Sequence, residues 1–124
     1  MVEEACAATK LLMGENLHGL AMDTDTKSMR QPLGVCGCIS PFNFPAMCSL
    51  WSLPLALVAG NTLVHKPSEL DPSVILMIAE LTKEAGIPDG CYNVFHGQHD
   101  CVNFICDNPD IRAISFVGGN QAVS

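Results

Sequence analysis

From Gly34 onward the sequence alternates short apolar runs, rich in β-branched residues, with segments of helical periodicity. This alternation limits the possible folds more than any other feature of the chain. Parallel strands joined by helical crossovers form right-handed units whose helices cover the faces of one sheet. The pattern therefore predicts an α/β fold, doubly wound, with a mostly parallel sheet and helices on both faces. The predicted strands are residues 35–39, 62–65, 92–95 and 111–117.

Three helices are expected between these strands. The first begins at Pro45, because a missing N–H is tolerated at the first position of a helix, and it is crossed by Pro54. The second has Asp71 as its N-cap and Pro72 at its first position. The third spans residues 98–106.

The first 33 residues follow a different pattern. Residues 3–13 are expected to be helical, whereas residues 14–32 are polar and lack a sustained period, so they are interpreted as an arm or connector. The predicted organisation is therefore an N-terminal helix with a connecting arm over residues 1–33, followed by a βαβ-type domain portion over residues 34–124.

Composition excludes several classes of partner. The net charge is −7 and the six Lys and Arg residues are scattered, which disfavours binding to nucleic acid or to an anionic membrane surface. The most apolar stretch, residues 46–59, is shorter than the roughly 20 residues of a membrane span. Seven cysteines at irregular spacing indicate a reducing compartment, and no metal site is predicted.

Ligands of open parallel sheets bind beyond the carboxyl ends of the strands. Here those positions are residues 41–45, 66–69, 97–99 and 118–121, and each contains polar residues or glycine directly after an apolar run. Neither GxGxxG nor GxxxxGK[ST] is present. A cofactor crevice and ordinary turn chemistry both remain compatible with this pattern.

Three ordered segments carry a resemblance. They are PLGVCGCISPFNFPAM (residues 32–47), GNTLVHKPSE (60–69) and HGQHDCVNFICDNPDIRAISFVGGN (96–120). Together they resemble the aldehyde dehydrogenase superfamily over nearly the whole chain. Phe42, Pro54 and the HGQH loop at residues 96–99 are most similar to its CoA-acylating branch, the methylmalonate-semialdehyde dehydrogenases.

The resemblance implies a chemistry. A cysteine thiolate attacks a small-molecule aldehyde, hydride passes to NAD, and CoA releases the acyl group, with decarboxylation of the malonate-type substrate. Asn43 matches the side-chain amide that stabilises the tetrahedral oxyanion. Its sequence context equally fits an Asx-type cap before the helix, and the two interpretations are compatible.

The resemblance also implies a cofactor site, which makes residues 34–124 a portion of an NAD-binding domain. Lys66 and Glu69 match the family's contacts to the adenosine ribose, although a solvated loop pair would have the same sequence. The other implied cofactor-binding residues are Ser40, Pro41, Phe42, Gly97, Gly118 and Gly119. The glycines would let the backbone approach the adenine and the pyrophosphate, or they could be plain turn residues.

Two residues depart from the family pattern. Gly119 stands where a serine would offer a hydroxyl to phosphate, and Val123 stands where a glycine would allow close packing. Both changes are expected to weaken cofactor binding.

The expected place of the chain in the family follows from these matches. The family's nucleophilic cysteine is expected downstream of the matched region, so the chain is interpreted as a fragment that is inactive alone. Alternatives are a non-catalytic product that binds NAD weakly, or one that docks on full-length subunits. The complete family member is expected to be a mitochondrial homo-oligomer, while the missing transit peptide leaves a cytoplasmic location open.

Overall fold

The computed structural model describes residues 1–119, so Val123 and the end of the predicted loop at 118–121 lie outside the described residues. The chain forms an α/β fold, as predicted. Its elements in order are α1 (Val2–Ala7), a 3₁₀ helix (Ala8–Leu12), β1 (Asn16–Ala21), β2 (Thr24–Lys27), β3 (Val35–Ile39), α2 (Pro45–Val58), β4 (Thr62–Lys66), α3 (Ser73–Glu84), β5 (Tyr92–Val94), α4 (His99–Asp107) and β6 (Ile111–Phe116).

The main sheet has four parallel strands in the order β5-β4-β3-β6. The chain steps outward from β3 through β4 to β5, and then returns to place β6 on the other side of β3. At the centre, Cys38 of β3 is in register with His65 of β4 and with Ser115 of β6. This order confirms the predicted parallel, doubly wound sheet.

Helices cover both faces of this sheet. On one face Leu53 of α2 packs with Cys36, Cys38 and Leu63, and α3 adds Ile78 to the same cluster. On the other face Ile105 of α4 is fully buried against β3. A Cβ atom at residue 37 would lie 2.6 Å from the Ile105 methyl group, so Gly37 lets α4 approach the strand.

The arm predicted over residues 14–32 is instead a two-stranded antiparallel hairpin of β1 and β2. Every residue of both strands is exposed, and so the hairpin has no burial period that a sequence pattern could reveal. Local bonds hold it: Asp25 accepts the backbone N–H of Gly19 and contacts His18 Nδ1, each at 2.9 Å. The Gly19 bond and then the His18 contact lower the pKa of Asp25.

Two predicted helix caps are wrong by one residue. Helix α2 begins at Pro45 as expected, but its N-cap is Phe44 rather than Asn43. Helix α3 begins at Ser73 with Pro72 in the cap position, and Asp71 accepts the Ser73 hydroxyl at 3.1 Å instead of a backbone N–H. The side chain of Pro72 cannot accept a hydrogen bond from a backbone N–H. Its fixed φ angle, however, suits the entry to a helix. Within residues 1–119 no helix is both long and apolar enough to cross a membrane.

Candidate cofactor-binding site

The strand order creates a crevice at the carboxyl end of the sheet. The crossover after β3 runs through α2 on one face of the sheet, the crossover from β5 to β6 runs through α4 on the other face, and ligands of doubly wound folds bind at this switch point. A depression of about 340 Å³ lies there. Seven of the nine residues predicted from the sequence line it: Ser40, Pro41, Phe42, Lys66, Glu69, Gly118 and Gly119.

Backbone hydrogen bonds tie the three strand ends around the crevice together. The Ser40 N–H donates to the Lys66 carbonyl at 3.2 Å, and the Val117 N–H donates to the Ile39 carbonyl at 3.1 Å. Ser40 is buried, whereas Phe42 is half exposed and presents its ring at the mouth. The crevice therefore has a preformed floor and one open aromatic wall.

Lys66 supplies a buried cation to this crevice. Its ammonium donates to the Pro67 carbonyl at 3.1 Å and to Glu69 Oε2 at 3.3 Å, which uses two of its three protons. The carboxylate of Glu69 is half exposed. Its pKa is lowered by its own backbone N–H and then by Lys66. The pair thus offers one further donor and several acceptor sites, which suits vicinal sugar hydroxyls.

The loop after β6 contributes two glycines that differ in their surroundings. A Cβ atom at residue 118 would lie 2.8 Å from the ring of Phe116, so Gly118 is needed for the packing of that ring. At Gly119 the described residues leave open space within 4 Å of an added Cβ atom. Only Gly119 could therefore carry a side chain into the crevice without displacing a neighbour.

Gly97 does not line the crevice. An added Cβ atom there would clash with Cys101 Sγ, so this glycine allows the first turn of α4 to pack. The crevice wall on this side comes from Gln98 and His99, which sequence reasoning missed. Both lie in the loop at 97–99 that follows a predicted strand, but the resemblance points to Gly97 in that loop, since glycine permits close backbone approach.

Asn43 is exposed and lies beside the crevice rather than in its lining. The capping interpretation of this residue is wrong, because the helix cap is Phe44 in a left-handed conformation, φ 55° and ψ 52°. A bulky residue in this conformation stores on the order of 1–2 kcal/mol of strain. Within residues 1–119 no hydrogen bond to the Asn43 amide is found, so the strained turn leaves its amide group available.

A buried histidine behind the crevice was also missed. His65 is fully buried, with Nε2 at 2.8 Å from Ser40 Oγ and Nδ1 at 2.7 Å from the Tyr92 hydroxyl. Burial, and then the nearby His96, lower its pKa to about 4. Burial also raises the pKa of Tyr92. The signal in the sequence was an imidazole inside the apolar strand TLVHK.

A second depression of about 360 Å³ lies between α3 and the turn before β5. Leu76, Lys83 and Tyr92 are among its lining residues. It opens at the amino end of β5, opposite to the strand ends where parallel sheets bind ligands. We therefore assign the cofactor site to the crevice at the switch point.

Comparison with known proteins shows which family the chain matches. The sequence profile of the aldehyde dehydrogenase family matches residues 1–124. The human acylating methylmalonate-semialdehyde/malonate-semialdehyde dehydrogenase, a mitochondrial protein, is 55% identical over 122 residues, 98% of this chain and 23% of its own length. The Caenorhabditis elegans protein assigned the same activity is 61% identical over 122 residues, with the same two coverages.

Solved structures extend the agreement to the fold. A Sinorhizobium meliloti protein assigned as a methylmalonate-semialdehyde dehydrogenase, crystallised with NAD, is 42% identical and superimposes with a TM-score of 0.93. The match covers 96% of this chain and 24% of that one. The chain thus spans about a quarter of the length of the relatives that it matches.

Proposed function

This chain belongs to the aldehyde dehydrogenase family, and we propose that it forms the NAD-binding portion of a CoA-acylating methylmalonate-semialdehyde dehydrogenase. The observation that carries the proposal is the buried Lys66 ammonium, paired with Glu69 at the mouth of the switch-point crevice. We place an N-terminal helix and arm at residues 1–33 and the NAD-binding portion at residues 34–124.

The crevice residues divide the work of holding a dinucleotide. Lys66 and Glu69 bind the hydroxyl groups of the adenosine ribose, because one offers a donor and the other offers acceptors. Ser40, Pro41 and Phe42 form the wall beside it. The backbone of Gly118 and Gly119 lies toward the adenine and the pyrophosphate, whereas Gly97 contributes through the packing of α4. NAD supplies the acceptor for the hydride when it is bound.

Asn43 serves the chemical step. The exposed amide donates to the oxygen of the aldehyde as negative charge develops on it, and the fixed turn at Phe44 holds that amide in place. The relatives' names support a small semialdehyde as substrate and an acylating reaction. CoA as the acyl acceptor follows from the family resemblance alone. The same names support a mitochondrial location for the complete protein. An assembly of several copies follows from the family resemblance alone.

A second candidate function is docking on full-length subunits of the same enzyme, with weak or no NAD binding. The exposed apolar side chains of α3 favour it, since Leu76, Met77 and Leu81 are each about half exposed or more.

Calorimetric titration of the 124-residue chain with NAD separates the two. Lys66→Ala is expected to weaken NAD binding by roughly 10–100-fold, since a hydrogen bond to a charged group contributes about 1.5–3 kcal/mol. Lys83→Ala is the matched control, because Lys83 forms an exposed pair with Asp89 away from the crevice. Equal affinity in all three proteins, or no binding by the unmodified folded chain, would exclude the proposed NAD site.

A further inference from the structure

A continuous set of buried polar contacts runs from the far edge of the sheet to the crevice. Tyr92 on β5 contacts His65 on β4 at 2.7 Å, and His65 contacts Ser40 at 2.8 Å. Ser40 Oγ lies 3.4 Å from Ser49 Oγ on α2, and Ser49 contacts the Pro45 carbonyl at 2.7 Å. These contacts link two strands, the crevice wall and the first turn of a helix. We call them the buried relay.

One assignment of protons gives every contact of the buried relay a proton of its own. The Pro45 carbonyl can only accept, so the single proton of Ser49 goes to it at 2.7 Å. Ser49 Oγ is also oriented to donate to Ser40 Oγ, but at 3.4 Å, so that longer contact has a proton of its own only if Ser40 supplies it. In this assignment Ser40 accepts from His65, which places the ring proton of His65 on Nε2. His65 Nδ1 is left as an acceptor, and Tyr92 donates to it. Each contact then has one proton.

We propose that His65 is a positioning residue for the cofactor crevice, holding Ser40 and the turn that follows it through the buried relay. This inference deepens the proposed function and rests on it. The position of His65 supports the role. It directly precedes Lys66 on β4, and it contacts Ser40, which directly follows the neighbouring strand β3. One side chain thereby couples two loops whose residues line the crevice.

The relay also explains why a polar group is tolerated in this core. His65 and Ser40 have relative exposures of 0% and 4%, and an unpaired polar group at such a depth is costly. Because the ring has one donor and one acceptor nitrogen, a Tyr92 hydroxyl that donates to Nδ1 holds the ring proton on Nε2, where it serves Ser40. Removing the Tyr92 hydroxyl should therefore weaken the hydrogen bond that holds Ser40, although Tyr92 does not line the crevice.

Tyr92→Phe tests this inference, since it removes one hydroxyl and keeps the ring. We expect the Ser40 amide, which donates to the Lys66 carbonyl, to exchange with solvent roughly fivefold faster, corresponding to the net loss of one hydrogen bond. The NAD dissociation constant should rise by a similar factor. The control is Ser52→Ala, which removes a hydroxyl that donates to Cys38 Sγ and to the Ser49 backbone carbonyl but touches no side chain of the relay, and it should change neither quantity.

A second pair of variants separates positioning from packing. Gln at residue 65 keeps a donor and an acceptor, whereas Leu keeps only bulk, so H65Q should retain slow exchange at Ser40 and H65L should not. Nitrogen NMR of the unmodified chain should find the His65 proton on Nε2. A proton on Nδ1, or equal Ser40 exchange in all these variants, would overturn the inference. Both readouts apply even if NAD does not bind, so failure of the proposed function is recognised separately.

Discussion

Gly119 is the crevice residue where one added group has the most room to act. Among residues 1–119, no atom lies within 4 Å of a Cβ atom added at Gly119, whereas Gly118 and Gly97 are each confined by a neighbouring side chain. The conformational freedom of glycine is therefore not required by any described contact at residue 119. Residue 119 is therefore a position where the crevice lacks a side-chain hydrogen-bond donor and where one would fit.

Gly119→Ser is expected to tighten NAD binding by about threefold to tenfold, because an added hydroxyl can donate to a phosphate oxygen. Calorimetric titration measures the change. The matched control is Gly119→Ala, which adds the Cβ atom without the hydroxyl. If the serine and alanine variants bind NAD equally, the hydroxyl has no partner in the complex and the prediction is wrong.

His65 makes the stability of the fold depend on pH. Its pKa of about 4 in the folded chain lies below its ordinary value of 6.5, so between these values the unfolded chain binds a proton that the folded chain does not. Acidification through this window lowers the free energy of unfolding, by on the order of 3 kcal/mol in total. The lowered pKa values of Glu69 and Asp25 add to this loss at the acidic end of the window and below it, since their ordinary pKa values are 4.5 and 3.8.

Urea unfolding at several pH values between about 7 and 4.5 checks this dependence. The unmodified chain should lose stability steadily as the pH falls, and His65→Gln should follow a shallower curve because glutamine does not titrate. Parallel curves for the two proteins would show that His65 is not the group responsible.

Residues also differ in how far sequence could identify their role. The apolar pattern marks Lys66 and Glu69, which lie in the segment after a predicted strand, and the family resemblance adds Ser40. The contact between His65 and Tyr92 could not be predicted from the sequence. It joins side chains on different strands, 27 residues apart, and depends on strand order and register.

Among the elements, β3 is the one on which the others are assembled. It pairs with β4 and β6, and it carries α2 on one face and α4 on the other. Gly37 lies at its centre, where Ile105 of α4 approaches. The distance between this helix and the sheet is therefore set by the absence of a side chain at one position.

Gly37→Ala should destabilise the chain by about 1–3 kcal/mol, the usual cost of overpacking a core, because the new Cβ atom would lie 2.6 Å from the Ile105 methyl group. Urea unfolding gives the magnitude. In an Ile105→Ala background the same change should cost less, since the clashing methyl group has been removed. An undiminished cost in that background would show that the clash is not the cause.

The four strands of the main sheet were predicted to within one residue at each end, and the hairpin was not predicted at all. The difference is physical. A strand such as β3 must bury its side chains, so its sequence is apolar, whereas β1 and β2 bury none and are held by local bonds such as those of Asp25. The caps of α2 and α3 were displaced because prolines adjust the helix entry.

At the scale of the whole molecule, the described surface carries many exposed apolar side chains. Met77 and Leu81 of α3 are both more than 60% exposed, and Met47, Trp51 and Leu55 of α2 are each about 40% exposed. The sheet ends in the unpaired edges of β5 and β6, as far as residues 1–119 describe it. Such a surface favours association with other polypeptide.

We expect the 124-residue chain to self-associate with rising concentration, and the double variant Met77→Lys, Leu81→Glu to shift it toward the monomer. Light scattering after size-exclusion chromatography measures the mass. Glu84→Lys, an exposed change on the same helix, is the control for altered charge. A double variant that associates as strongly as the unmodified chain would place the contact surface elsewhere.

The return of the chain to place β6 beside β3 has a consequence for the order of folding. Ser40 and Gly118 face each other only after this last strand has closed a loop through all the intervening elements, and long-range closure of this kind is slow. During synthesis Lys66 and Glu69 emerge well before the opposite wall exists. If NAD binds as proposed, it cannot stabilise a chain in which β6 has not yet joined the sheet, so binding would report that this strand is in place.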